Sequence, residues 1–402
     1  MRPERFFFHV LLAVPYWRRP TYQSICRSLG TGSVVAGSAI DELHSLVLRE
    51  MQIDQALLCG SGSLALELAL RGCEVEPGDE VVLPTFCCAA VVLPVLAVCA
   101  TTVLADVGPE LNLTVDTVGA ALTQKTRAII VPHLFGNPAD IGAIIELARA
   151  RSIRVIDDAA QALGATIDGR PVGSFGDAGI VSFGAEKVCF GLGGGALLAR
   201  DGNLSDGNFV SALARPKALP AIENLLSVLV RRRWRRWTSL FDAGLRNNHA
   251  FGPDAPPRPY RKETMANLNA AVALTLMQSL TDNIAARRAR VRRYTELFHG
   301  VDGLELIPHR SGSACLTQVL RVRAKRGDRA AAVIHALGGA GYEVQGSYVP
   351  IHRLTHYSMC VWDSVSHAEK IWSDLVELPC EPDVKIEHLE RIAALVKAAV
   401  RN

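Results

Sequence analysis

Between residues 56 and 200 short apolar runs alternate with segments of helical periodicity, and this alternation constrains the fold more than any other feature of the chain. The runs at 56–58, 80–83, 102–105, 127–131, 154–157, 180–183 and 196–199 have the length and β-branched content of strands. Helices are expected between them at 63–71, 115–122 and 139–151. In the last, Ile141, Ile144, Ile145 and Ala148 recur at helical spacing. A strand that hands the chain to a helix and then to another strand builds a largely parallel sheet covered on both faces. The expected class is therefore α/β, with ligands held at the carboxyl ends of the strands.

From residue 214 to 260 the pattern breaks. A helix is expected over 222–236, carrying the basic run Arg231-Arg232-Arg233-Trp234-Arg235-Arg236-Trp237, and a proline-rich stretch follows at 252–259. The basic run reads either as a solvated helix face or as a contact for anionic lipid or a diphosphate-bearing substrate. Beyond it one long helix over 265–298, a strand at 318–322 and helices at 329–337 and 386–400 make a smaller α/β domain. The expected division is thus residues 1–250 and 251–402.

Length and composition remove several classes. A chain of 402 residues with 49% hydrophobic content can bury large cores and is not disordered. Its 43 basic and 40 acidic residues leave a net charge of +3, so nothing in the overall charge calls for a nucleic-acid partner. Residues 81–105 carry no charge and could span a bilayer by length, but Pro84 and Pro94 interrupt them; strand, buried helix and strand fit better. Arg2 and Arg5 ahead of a mostly apolar 6–14 faintly suggest a signal peptide, without a small-residue cleavage pattern behind it. The ten cysteines include no C-x-x-C pair, and they read as reduced, mostly buried thiols of a cytoplasmic protein with no structural metal.

Four groups carry chemistry. Lys187 stands just after the strand at 180–183 and just before Gly191-Leu192-Gly193-Gly194-Gly195. Asp157 and Asp158 end the strand before it. Two adjacent carboxylates there can bind a metal, cap a helix or hold one protonated ring nitrogen, and no His or Cys stands at useful spacing for the metal. Gly60-Ser61-Gly62 joins a strand to a helix, where backbone N–H groups and the helix dipole favour an anion. Ser182 offers a further hydroxyl.

The order Gly60-Ser61-Gly62, Asp158-Ala159-Ala160-Gln161, Ser182-Phe183-Gly184-Ala185-Glu186-Lys187 and Gly193-Gly194-Gly195 resembles the DegT/DnrJ/EryC1/StrS family. So do Gly78-Asp79-Glu80-Val81-Val82-Leu83-Pro84, the run from His133 to Asp140, Gly173-Ser174-Phe175-Gly176-Asp177 and Tyr348-Val349-Pro350-Ile351-His352. The likeness runs over about 35–400 and is strongest over 60–195. It implies the aspartate-aminotransferase-like architecture of pyridoxal-phosphate (PLP) transferases of fold type I, and aminotransfer from an amino acid, glutamate, to a nucleotide-linked keto-sugar. It also implies a homodimer with shared sites.

Carried over residue by residue, the resemblance makes Lys187 the Schiff-base lysine and Asp158 the partner of the pyridine nitrogen. Gln161 would lie against the ring or near its phenolic oxygen, and Ser61, Gly62 and Ser182 would hold the phosphate. Cys88 stands where family members commonly stack an aromatic residue. Lys262-Glu263-Thr264-Met265 replaces the usual Asn-Tyr-Arg-Met, so Lys262 either reaches a phosphate or lies on the surface. His133, His352 and Tyr348 are read as structural and stay outside the site. Three alternatives accompany this expectation: a sugar dehydratase of the family, which would carry His in place of Lys187, an aminotransferase of a ketone not linked to a nucleotide, and a non-catalytic scaffold.

Overall fold

A computed structural model describes residues 8–199, 207–242, 259–323 and 329–401; for 207, 208 and 231–242 it describes the backbone alone. Helices α1 (Arg19–Gly30) and α2 (Ala39–Met51) lead into β1 (Gln55–Cys59). Strand–helix alternation then runs through α3 (Gly62–Gly72), β2 (Glu80–Pro84), α4 (Val92–Ala97), β3 (Thr101–Ala105), α5 (Val115–Ala121), β4 (Thr126–Pro132), α6 (Ile141–Arg149) and β5 (Arg154–Asp158). The small hairpin β6 (Thr166–Ile167) and β7 (Arg170–Pro171) precedes β8 (Ala178–Ser182) and β9 (Gly195–Ala199).

Every strand expected in this region is present, within two residues of the expected ends. Residues 81–105 fold as strand, short helix and strand, and no helix among the described residues is long and apolar enough to cross a membrane. The large sheet has the order β1-β9-β8-β5-β4-β2-β3. The pairs β2–β3, β2–β4, β4–β5 and β5–β8 are parallel, whereas β9 runs antiparallel to both β8 and β1. The reversal has a local cause. The stretch between Ser182 and Gly195 contains no helix, and a loop without one turns the chain straight back rather than crossing over. Val81, Val82, Leu83, Ile129, Ile130 and Val131 are fully buried, as strands covered on both faces must be.

Beyond β9 come α7 (Gly207–Ser211), α8 (Ala218–Asp242), α9 (Asn267–Gln278) and α10 (Leu280–Phe298). The expected single helix over 265–298 is two. Its break falls at Ser279, whose Oγ donates to the carbonyls of Thr275 and Leu276 (both 3.2 Å) and so satisfies groups that a continuing helix would have paired. The break also separates two environments. α9 is buried nearly all round against α1 and α2, while α10 is largely polar and lies over the C-terminal sheet. That sheet, β10-β11-β13-β12, is wholly antiparallel and is built from β10 (Leu304–Leu306), β11 (Gln318–Val322), β12 (Gln345–Gly346) and β13 (Leu375–Leu378). It is packed by α11 (Arg329–Gly339) and α13 (Ile386–Arg401), while α12 (Ser366–Ile371) joins the large-domain core. The expected division at residue 250, and the proline-rich stretch apart from Pro259, lie outside the described residues.

α10 is tied to the C-terminal segment by a buried ion pair. Arg287 is 1% exposed, and its guanidinium donates to Glu381 Oε2 (2.5 Å), Asn283 Oδ1 (2.8 Å) and the Leu316 carbonyl (2.8 Å). An arginine does not shed its proton to escape burial. Glu381→Ala should therefore destabilise the protein by about 3–5 kcal/mol in urea unfolding, and Arg287→Met combined with Glu381→Leu should recover most of that loss.

Candidate active site

The carboxyl ends of β1, β2, β4, β5 and β8 meet at one edge of the large sheet, and the chemistry-bearing residues lie on the turns that leave them. At β1 the chain turns at Gly60 and enters α3. Ser61 caps that helix in an extended conformation, its Oγ accepting from the Leu64 N–H at 3.1 Å. Gly62 follows, pressed against the end of β8. A Cβ built there would meet Ser182 Cβ at 2.9 Å and Ser182 Oγ at 3.0 Å. Ser182 is buried and accepts from the Gly184 N–H at 3.3 Å. Both serine oxygens thus accept a backbone bond, and both keep an O–H to donate beside the first turn of α3.

The adjacent carboxylates of β5 have separate tasks. Asp157 is wholly buried and holds the frame: Oδ2 accepts from the Phe175 N–H (2.9 Å), and Oδ1 lies 2.7 Å from His133 Nε2. The Ala139 N–H donates to His133 Nδ1 at 2.8 Å, so the ring carries its proton on Nε2 and gives it to Asp157. Asp158 is the open one. Among the described residues its side chain accepts only from the Ala160 N–H, at 2.9 Å. Burial pushes its carboxyl above the ordinary range, while the Ala160 N–H and the charge of Lys187 pull it back. Neither aspartate caps a helix, because residues 160–164 form turns. Lys187 is partly exposed in the loop between β8 and β9 and makes no side-chain hydrogen bond or ion pair among the described residues.

Gln161 is placed at this edge too, with one hydrogen bond at each end of its amide. Oε1 accepts from the Phe135 N–H (3.0 Å), and Nε2 donates to the Tyr348 hydroxyl (3.1 Å). Tyr348, read as structural from sequence, is thereby brought to the site. Its ring stacks on Phe135 at 5.8 Å and meets Phe86 edge-on at 5.9 Å. Burial, and next the neighbouring Cys88 and Glu377, push its phenol well above the ordinary value. Cys88 occupies the turn after β2, partly exposed, at the start of a 3₁₀ turn over Ala89–Val91. Nothing in the spacing of the sequence joins position 348 to position 161.

Lys262 does not stand free for a phosphate. Its Nζ donates to Glu67 Oε1 at 2.7 Å, and this fully buried carboxylate also accepts from Arg71 and from the Tyr260 hydroxyl. A buried charge captures the nearest cations. His352 is a joint rather than a surface group. Its Nδ1 lies 2.7 Å from Thr85 Oγ1 at the end of β2, and its Nε2 bonds Glu369.

Behind Tyr348, Glu377 of β13 accepts from Ser347 Oγ (3.1 Å) and Gln345 Nε2 (3.3 Å), with no ion pair among the described residues. Burial pushes its carboxyl up to about 7. The folded protein then holds this proton between the ordinary carboxylate range and about pH 7, where the unfolded chain has lost it. Stability therefore falls as pH rises through that window. Glu377→Gln should raise unfolding stability at pH 8 relative to pH 5 by on the order of 2 kcal/mol, read from urea midpoints at the two pH values.

Comparison with known proteins bears on this arrangement. The family model for DegT/DnrJ/EryC1/StrS aminotransferases matches residues 18–397. A UDP-N-acetyl-3-dehydro-alpha-D-glucosamine 3-aminotransferase of Acidithiobacillus ferrooxidans is 42% identical over 182 residues, 45% of this chain and 49% of that protein, so that match spans about half of the relative. A GDP-perosamine synthase of Caulobacter vibrioides is 27% identical over 350 residues, 85% of each chain. The crystal structure of an aminotransferase from Streptoalloteichus hindustanus superposes with a TM-score of 0.76 at 23% identity, covering 98% of this chain and 99% of that one; at that identity it speaks for the fold. With the family match running through both sheets and every turn of the edge described above, the chain belongs to the DegT/DnrJ/EryC1/StrS aminotransferase family.

Proposed function

We propose that the chain is a PLP-dependent aminotransferase that moves an amino group from an amino acid, glutamate, to a nucleotide-linked keto-sugar, for surface polysaccharide or secondary-metabolite synthesis. The observation that carries this reading is the meeting at one sheet edge of a lysine without an ion pair among the described residues, a buried carboxylate with a single hydrogen bond among them, and a two-serine cradle at a helix start. The nucleotide-linked acceptor is supported by the names of the two relatives reported above, one a UDP-sugar aminotransferase and the other a GDP-perosamine synthase.

The residues fit the cofactor. Ser61, Gly62 and Ser182 would hold its phosphate with two hydroxyl donors and the positive end of α3. Asp158 would accept a hydrogen bond from its protonated ring nitrogen, and that bond would supply a cationic partner at hydrogen-bond distance for the buried carboxylate. Cys88 would lie on the ring face, with less contact area than an aromatic residue. Gln161 acts at one remove, by fixing the Tyr348 hydroxyl and the Phe135 backbone that wall the site.

When bound, the cofactor draws electrons from the carbon that bears the nitrogen, so that its proton becomes removable. Lys187 Nζ takes that proton from the α-carbon of the donor and delivers a proton to the former carbonyl carbon of the acceptor. Asp158 keeps the ring nitrogen protonated throughout. Among the described residues no ion pair holds Lys187 away from these positions. Lys187 also weighs against the dehydratase alternative. A homodimer in the cytoplasm completes the proposal, supported by the family likeness and by ten free cysteines, seven of them buried.

Purified with pyridoxal phosphate, the protein should show a visible absorbance band that glutamate converts to the aminated form. Lys187→Ala should lose the lysine-bound band and lower turnover by about 10⁴-fold or more while keeping its unfolding midpoint. A variant that kept full aminotransfer without added amines would overturn the role of Lys187. Gly62→Ala, whose methyl would press on Ser182, should weaken cofactor binding by about tenfold in a fluorescence titration.

A further inference from the structure

α8 is anchored to the body of the protein through its first half. Ala221, Leu225 and Val228 are buried in the core cluster that also holds Phe190 and Leu192. Asn224 Nδ2 donates to the Leu192 carbonyl at 3.2 Å, which roots the helix on the glycine-rich loop beside the candidate site. The opposite face is largely apolar as well, and it is open: Leu219, Leu226 and Val230 are 66%, 53% and 51% exposed, with one charge among them, the exposed Glu223. A surface helix of an ordinary globular domain shows solvent a polar face.

The helical backbone continues to Asp242, so its register extends both faces. At about 100° per residue, Trp234, Trp237, Leu240 and Phe241 fall within about 60° of the line through Leu219, Leu226 and Val230. In register, the line of the apolar strip is thus continued by two tryptophans and two further apolar positions, with Arg233 about 40° from it. The face that is buried in the first half is continued by Arg232, Arg235 and Ser239, and Arg231 and Arg236 fall on the flanks. Residues of this kind cannot extend the packing of Ala221, Leu225 and Val228. No acidic residue occurs between Glu223 and Asp242.

A helix with a largely apolar strip set with tryptophan, and with five arginines and no acid between Glu223 and Asp242, matches one environment: the interface of an anionic bilayer, with the strip among the acyl chains and the guanidinium groups on the headgroups. It is too charged to span, and among the described residues no helix is long and apolar enough to cross a membrane. A second copy of the chain paired through the same strip would set arginines against arginines. Nucleic acid would use the cations and leave the apolar strip in water. We propose that α8 is a docking helix that lies in the plane of an anionic membrane surface and holds the candidate site close to it. This inference is independent of the reaction assigned to that site.

The test uses the full chain with bound pyridoxal phosphate and sedimentation with vesicles. The protein should pellet with phosphatidylcholine–phosphatidylglycerol vesicles and stay in solution with phosphatidylcholine alone, and its tryptophan emission should shift to the blue on binding. Trp234→Ala with Trp237→Ala should lower the vesicle affinity by about tenfold or more. Leu226→Gln, at a position exposed in the fold, should lower it in the same direction. Arg232→Gln with Arg235→Gln should remove the preference for anionic lipid, and the cofactor band of each variant reports that the fold is intact. Failure of the intact protein to pellet with anionic vesicles overturns the proposal. So does pelleting undiminished in the tryptophan and Leu226 variants, which would mark a purely ionic attraction. A change from dimer to monomer in those variants, with vesicle binding unchanged, would instead assign the strip to a second copy.

Discussion

The candidate site depends on one close approach of backbone to backbone, where the start of α3 lies against the ends of β8 and β9. A Cβ at Gly62 would collide with Ser182, and one at Gly195 would lie 2.7 Å from the Gly62 nitrogen and 2.8 Å from the Ser61 carbonyl carbon. With glycine at both places the two segments touch, and Ser61 and Ser182 present their hydroxyls to one small volume. The antiparallel placement of β9 between β1 and β8 makes this contact possible, since Cys59 and Ser182 both pair with Gly195. The same reversal leaves the Lys187 loop outside the sheet, at the edge where the strands end.

Within that frame burial sorts groups of like chemistry into different tasks. Asp157 and Asp158 are neighbours of one type. The alternation of a strand turns the first to His133 and the Phe175 N–H, where both its oxygens are used, and the second to the open edge, where one bond is left to satisfy a buried charge. Glu67 shows the other outcome. With no exposure at all, it collects Arg71, Lys262 and Tyr260, and so removes Lys262 from any free role. A buried carboxylate is stable only with partners, and what surrounds it decides whether those partners come from the chain or from a ligand.

The C-terminal part of the chain reaches the site through side chains and single backbone hydrogen bonds. Tyr348 enters beside Phe86 and Phe135, and Gln161 takes its hydroxyl. A few residues on, His352 bridges Thr85 and Glu369, while the Ile351 N–H donates to the Thr85 carbonyl at 2.7 Å. The C-terminal segment therefore holds Thr85, at the start of the turn that carries Cys88, through both its side chain and its backbone.

The strands from 55 to 199 were legible because a buried parallel strand must be apolar, and the turns that leave them because glycine, serine and aspartate are the residues those turns require. Motif order extended that reading to Lys187, Asp158, Ser61, Gly62 and Ser182, all of which lie at the sheet edge. What local pattern did not report was the surroundings and the partner that each residue meets. The break at Ser279 is set by two local carbonyls and by a change of surroundings that periodicity does not report. The pairing of Lys262 with Glu67 joins residues 195 positions apart, and that of Gln161 with Tyr348 joins residues 187 apart. Sequence by itself determined which elements form and which residue types stand at the strand ends, because those follow from local pattern and backbone sterics. Only the tertiary structure decided which donor meets which acceptor, because a hydrogen bond is chosen by proximity in space and a buried group takes whichever partner the fold brings within reach.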